Sequence, residues 1–148
     1  MAEHNHVEIL LIEDNLHEAE LTIRALKKHN LIDRLKHIDD GADALDFIFC
    51  NGAYSDRLNS LNPKLILLDL KLPKVGGLEI LRQLKADERT KMIPIVVLTS
   101  SKEEEDVIES YKLGVNSYIV KPVNYEAFTQ AVAELGLYWI HLNQNPYS

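Results

Sequence analysis

Three acidic residues in this 148-residue chain stand where acids are costly, at the downstream ends of apolar runs. Glu13 and Asp14 close "EILLIED", and Asp69 closes "KLILLD". Thr99 and Ser100 end a third run, "IPIVVLTS", and Lys121 ends a fourth, "SYIVK". A buried charge costs several kcal/mol unless it is paired. Carboxylates that meet at one place would repel each other unless a hard cation lay among them, and oxygen-only ligands with room for water suit Mg²⁺. A lysine beside them would hold Asp69 from the other side.

That chemistry needs elements that bring the run ends together. Short apolar runs at 8–12, 34–38, 64–69, 93–99 and 117–120 alternate with helical patterns. Apolar residues recur at helical spacing in 16–29 (Leu16, Ala19, Ile23, Leu26) and 41–50 (Ala44, Leu45, Ile48). They do so again in 78–85 (Leu78, Leu81, Leu84), 103–113 (Val107, Ile108, Tyr111) and 125–142 (Phe128, Val132, Leu135). Three of the strands are apolar throughout, as strands buried on both faces of a parallel sheet are. Five βα units predict an α/β fold: a doubly wound (βα)5 sandwich of flavodoxin-like order 2-1-3-4-5. In such sheets the site lies outside the carboxyl ends of the strands, so Glu13, Asp14 and Asp69 should converge.

Each residue alone has an ordinary explanation. An acidic pair after a strand caps the next helix, and a lone lysine is a solvated charge. Polar groups ending four different apolar strands on one edge are not explained that way together.

With Pro73 and Gly77 in "DLKLPKVGG", Tyr118, and Lys121-Pro122, the set resembles the receiver (CheY-like) domain of two-component response regulators. Within that family it is most similar to stand-alone regulators of cyanobacterial phytochrome-type kinases. The loop "NGAYSDRLNSLNPK" and the aromatic end "LGLYWIHLNQ" carry that closer likeness. The resemblance implies that Asp69 accepts a phosphoryl group from a histidine kinase. It implies that Asp14, Asp69 and the Lys71 backbone carbonyl ligate Mg²⁺, with Glu13 acting through water. Lys121 and Thr99 would bind the phosphoryl oxygens, with Ser100 adding hydrogen bonding where the family has alanine. Tyr118 would couple to Thr99 as the switch. Family pattern also puts a cis peptide at Lys121-Pro122, and puts Lys71 and Ser101 beside the path of a hydrolytic water. Ser101 has no carboxylate to orient that water, so a long-lived phosphoprotein is expected.

Other chemistries fit less well. Haloacid-dehalogenase-type phosphatases need a second aspartate two residues after the first, where this chain has Lys71, so an enzyme is not expected. A flavin site needs a phosphate loop where "EDNLHEAE" is acidic, and no Walker-type loop occurs. A never-phosphorylated pseudo-receiver would lack the Asp or the Lys. A phosphate sink or relay intermediate stays open beside the messenger role. The net charge of −7 argues against direct nucleic-acid binding. Single Cys50 cannot form an internal disulfide, and His4, His6 and the other four histidines lack metal spacing. No signal peptide or membrane span is evident, so a cytoplasmic protein is expected. Residues 1–148 read as one receiver domain with no output domain, 136–148 being a C-terminal extension of the last helix. Leu137, Tyr138, Trp139, Ile140 and Leu142 are apolar on more than one side of any helix, which predicts a homodimer through the last helix and strand.

Overall fold

The computed structural model describes residues 7–28, 34–57 and 62–146. His4, His6, position 29, part of the 51–64 loop and positions 147 and 148 lie outside them.

Five strands form one parallel sheet: β1 (Ile9–Ile12), β2 (Leu35–Ile38), β3 (Leu65–Leu68), β4 (Ile95–Thr99) and β5 (Ser117–Val120). Their order is β2-β1-β3-β4-β5, as the alternation predicts. Register places Ile12 level with Leu68 across β1 and β3, and Leu68 level with Val97 across β3 and β4. Asp69 and Glu13 therefore leave their strands at the same height. The helices are α1 (Leu16–Lys28), α2 (Gly41–Phe49), α3 (Gly77–Ala86), α4 (Glu104–Lys112) and α5 (Tyr125–Gly136).

Alternate side chains of the central strands serve two cores. Leu10, Ile12, Ile66, Leu68, Ile95 and Val97 pack with Phe47, Ile80, Leu81 and Leu84 of α2 and α3. Ile9, Leu11, Leu65, Leu67, Val96 and Leu98 pack with Ala19, Leu26, Phe128 and Val132 of α1 and α5. Strands β1, β3 and β4 are buried at every position, whereas the edge strand β5 is half-buried throughout.

Several sequence expectations are corrected in detail. Leu16, read as part of a buried stripe, is exposed, and Thr22 and Ala25 join Ala19 and Leu26 inside instead. On α4 only Ser110 is buried, and Ile108 and Tyr111 face solvent. The helical stripe at 125–142 does not run through as one α-helix. It ends at Gly136 and widens into a π-helical turn over Leu137–Leu142, closed by the Asn143 N–H on the Tyr138 carbonyl at 2.6 Å. The wider winding rotates Trp139 and Ile140 onto the α1/α5 core and leaves Leu137, Tyr138 and Leu142 outside. The chain then folds back, and buried Asn145 donates to the Lys64 carbonyl at 3.1 Å.

Two glycines let the loop after β3 close over the sheet. A Cβ on Gly41 would sit 1.8 Å from the Val75 carbonyl oxygen, and one on Gly77 would sit 2.4 Å from that of Asp69. Only glycine permits both approaches.

Candidate functional site

The carboxyl edge of the sheet gathers the expected groups. Asp69 leaves β3 with its backbone N–H on the Ile12 carbonyl, which keeps β1 and β3 parallel to the last residue. Asp69 is buried, and each of its side-chain oxygens has its own partner. The Thr99 hydroxyl, fully buried at the end of β4, donates to Oδ1 at 2.8 Å. The Lys71 backbone N–H reaches the same oxygen at 3.3 Å. Lys121 Nζ, from the end of β5, donates to Oδ2 at 3.1 Å.

Lys121 has two further partners, Glu13 Oε1 at 2.5 Å and a carboxylate oxygen of Glu18 on α1. Three N–H donors thus meet three carboxylates, in a lysine that is itself buried. Glu18 was not singled out from the sequence, where an acid in the first turn of a helix reads as a dipole partner. Its backbone N–H is fixed by the Asn15 side chain at 2.9 Å, and that cap aims the first turn of α1 across the site. Glu13 is held in turn by the Asn15 N–H on Oε2 at 3.2 Å, while its carbonyl lies 2.8 Å from His37 Nε2.

Burial pushes the Glu13 carboxyl up to about 7, against the Lys121 hydrogen bond that pulls it down. Burial would raise Asp69 as well, but Glu13, the Lys121 charge and Thr99 together hold it below the ordinary aspartate range. Burial works against the Lys121 ammonium, and the hydrogen bonds to Glu13 and Glu18 outweigh it and raise the pKa above the usual lysine value. Lys121 is the cation that faces both acids.

Asp14 is exposed, one residue past Glu13. Glu13, Asp14 and Asp69 can each direct one oxygen to a common point, the three atoms lying within 4.8 Å of one another. Hard oxygen donors in that arrangement fit a divalent cation. Exposed Lys71 stands two residues beyond Asp69. Exposed Ser100 lines a cleft with Lys121 and Pro122.

Ser101 stands two residues beyond Thr99. It is buried, and its hydroxyl is committed to Asp106 Oδ2 of α4 at 2.5 Å. Its backbone ties two other expected residues together: the N–H lies on Thr99 Oγ1 at 3.4 Å, and the carbonyl accepts from the Tyr118 hydroxyl at 3.0 Å. The Lys121-Pro122 peptide bond is trans, not cis as family pattern implied, and the described residues contain no cis peptide. The two isomers of an X–Pro bond differ by only about 0.5–1 kcal/mol, too little for residue types to decide.

Comparison with known proteins agrees with this geometry. A family model for the response regulator receiver domain matches residues 9–133. The probable methanogenesis regulatory protein FilR2 of Methanothrix harundinacea is 40% identical over 138 residues, 93% of this chain and 86% of that protein. The response regulator Rcp1 of Synechocystis is 40% identical over 132 residues, 89% of this chain and 88% of its own. The crystal structure of Rcp1 in its Mn²⁺-bound form superposes with a TM-score of 0.87 at 38% identity, over 93% of this chain and 97% of that one. That of the phosphorylated cyanobacterial phytochrome response regulator RcpA superposes with a TM-score of 0.88 at 36% identity, over 95% and 99%. Agreement over that much of both chains, in sequence and in structure, makes this protein a member of the response regulator receiver family, signalling proteins that work with histidine kinases and are phosphorylated on aspartate.

Proposed function

We propose that Asp69 is the phosphoryl acceptor, taking the group from a kinase phosphohistidine. The observation that carries this reading is the partnering of its two oxygens: Thr99 on one, Lys121 on the other, in a buried, ionised carboxylate. Phosphoryl transfer asks a protein mainly for positioning and charge neutralisation. Both donors are already in place. When the Asp69 oxygen becomes bonded to phosphorus, Lys121 and Thr99 turn to phosphoryl oxygens.

Mg²⁺ is the cation best matched to the site, held by Asp14, Asp69 and the Lys71 carbonyl, with Glu13 acting through water. When bound it supplies charge neutralisation for the transferring group. The relative crystallised with Mn²⁺ supports a divalent ion at such an acidic site.

The switch follows from Ser101. Movement of the Thr99 hydroxyl toward the phosphoryl group releases the Ser101 N–H and frees the Tyr118 hydroxyl from the Ser101 carbonyl. Tyr118 then turns inward and alters the α4–β5–α5 face. The stem of Lys71 shields the acyl phosphate, so the phosphorylated form is long-lived. The likeness to a phytochrome response regulator supports a phytochrome-type kinase as donor. Exposed Tyr111, Tyr138 and Leu142 support a homodimer on the face that Tyr118 modulates. Turnover of small phosphoesters is not part of this reading.

Incubation with acetyl phosphate and Mg²⁺, followed by intact-mass measurement, should add one phosphoryl group to the parent and none to Asp69→Asn. Equal labelling of the two would overturn the assignment.

A further inference from the structure

Lys121 is expected to serve the phosphoryl group, yet all three of its donors are occupied by carboxylates. One partner must yield. Glu13 and Asp69 side chains are 4% and 8% exposed, whereas that of Glu18 is 34% exposed. Of the three pairs the one to Glu18 is the most open to water, and it is the easiest to give up. Glu18 also lines a surface cleft of about 400 Å³ between α1 and the start of α5, together with His17, Ser100, Lys121 and Pro122. A donor that delivers phosphorus to Asp69 Oδ2 comes within reach of Lys121, and hence of Glu18.

We infer that Glu18 is a positioning residue that discriminates among phosphodonors: it occupies the third donor of Lys121 and opposes small, highly anionic donors at the cleft. Resting on Asp69 as acceptor, this assigns Glu18 the role of a competitor for the ammonium. With acetyl phosphate, an Asp69 oxygen attacks phosphorus and the bond from phosphorus to the acetate oxygen breaks. Acetate leaves with the electron pair. Total charge is −3 before and after, so no proton moves. As the dianion enters, Lys121 exchanges Glu18 for a phosphoryl oxygen, and the freed carboxylate is left beside added negative charge. Removing that charge speeds entry. The backbone N–H of Glu18, not its side chain, meets the Asn15 cap, so substitution leaves the helix start intact.

The test compares initial rates of labelling by acetyl phosphate at saturating Mg²⁺ for the parent, Glu18→Gln and Glu18→Asp, at low salt and at about 1 M salt. Glu18→Gln should label about two- to fivefold faster at low salt, the order of effect expected of a charge pair with one partner open to water. That advantage should shrink toward parity at high salt, where the screening length falls to about 3 Å. Glu18→Asp keeps the charge and should stay within about twofold of the parent by the same reasoning. Melting temperatures identify any variant that fails to fold, and Glu18→Ser then replaces it. A Glu18→Gln rate at or below the parent's, or an advantage indifferent to salt, overturns the inference. Labelling that survives Asp69→Asn would instead overturn the acceptor assignment.

Discussion

The carboxyl edge of the sheet and the segment from Leu137 to Asn145 are both rich in side chains that looked conspicuous in the sequence, but they are built on different terms. At the sheet edge donors and acceptors are matched: three N–H groups of Lys121 to three carboxylates, Thr99 to Asp69, Ser101 to Asp106. Backbone approaches through Gly41 and Gly77 leave no slack around them. In the C-terminal segment one turn sends Trp139 and Ile140 inward and Leu137, Tyr138 and Leu142 outward. Apolar contact has no direction, so the second region tolerates change that the first does not. Charge and backbone contact specify a site, and apolar surface only specifies a side.

The largest effect should come from Lys121→Met. It leaves Glu13 and Asp69 facing each other without a counter-ion, and breaking a buried pair by removing one partner costs about 3–5 kcal/mol. Urea denaturation in chelator should register that loss, and millimolar Mg²⁺ should recover part of it by replacing the ammonium among the same carboxylates. A variant as stable as the parent in chelator would mean that the acids are not held by Lys121.

Gly77→Ala should come next. Its Cβ would meet the Asp69 carbonyl oxygen at 2.4 Å and the Leu70 Cα at 2.6 Å, neither able to move without shifting the acceptor. Overpacking of this kind costs about 1–3 kcal/mol, and the backbone contact points to the upper end. Gly76→Ala is the control, because its Cβ would lie 3.8 Å from the nearest atom. Thermal melts should separate neighbours by several degrees.

What the sequence disclosed follows the same division. Strands β1, β3 and β4 were legible because burial on both faces leaves only apolar residues, and their polar ends then marked the edge that carries the site. Glu13, Asp69, Thr99 and Lys121 were legible as a set for that reason. Glu18 was not, since its role depends on where the first turn of α1 points, and an exposed acid at a helix start is commonplace. The tie from Ser101 to Tyr118 escaped because it runs through a backbone carbonyl, which no residue type reveals. The change to π-helical winding after Gly136 escaped too. The choice between i→i+4 and i→i+5 backbone bonds decides it, and the apolar spacing of "LGLYWIHL" suits either winding.

A smaller effect is expected from Trp139→Ala. The indole packs on the α1/α5 core and meets the Tyr138 ring edge-on at 4.9 Å, but it is only half-buried. Full burial of a tryptophan would cost about 3–5 kcal/mol on truncation, so about 2 kcal/mol is expected here. Because the same change loosens the turn that presents Tyr138, it should weaken self-association as well. A dimer measured with this variant alone therefore confuses folding with docking.

The smallest effect on folding, and the sharpest separation of the two, belongs to Tyr138→Ser combined with Leu142→Ser. Both side chains are at least half exposed, at 50% and 67%, and neither fills the core. Exposed substitutions of this kind usually change stability by no more than about 0.5 kcal/mol each. If the outward side of the π-helical turn is a dimer face, the pair removes apolar area from the interface alone. Sedimentation at micromolar concentration should then show monomer where the parent shows dimer, with the urea midpoint of dilute protein almost unmoved. Phosphorylating the parent should strengthen association if Tyr118 reshapes that face, and should do nothing for the double variant. A double variant that dimerises as the parent does would place the contact elsewhere, and exposed Ile108 and Tyr111 on α4 would be the next residues to change.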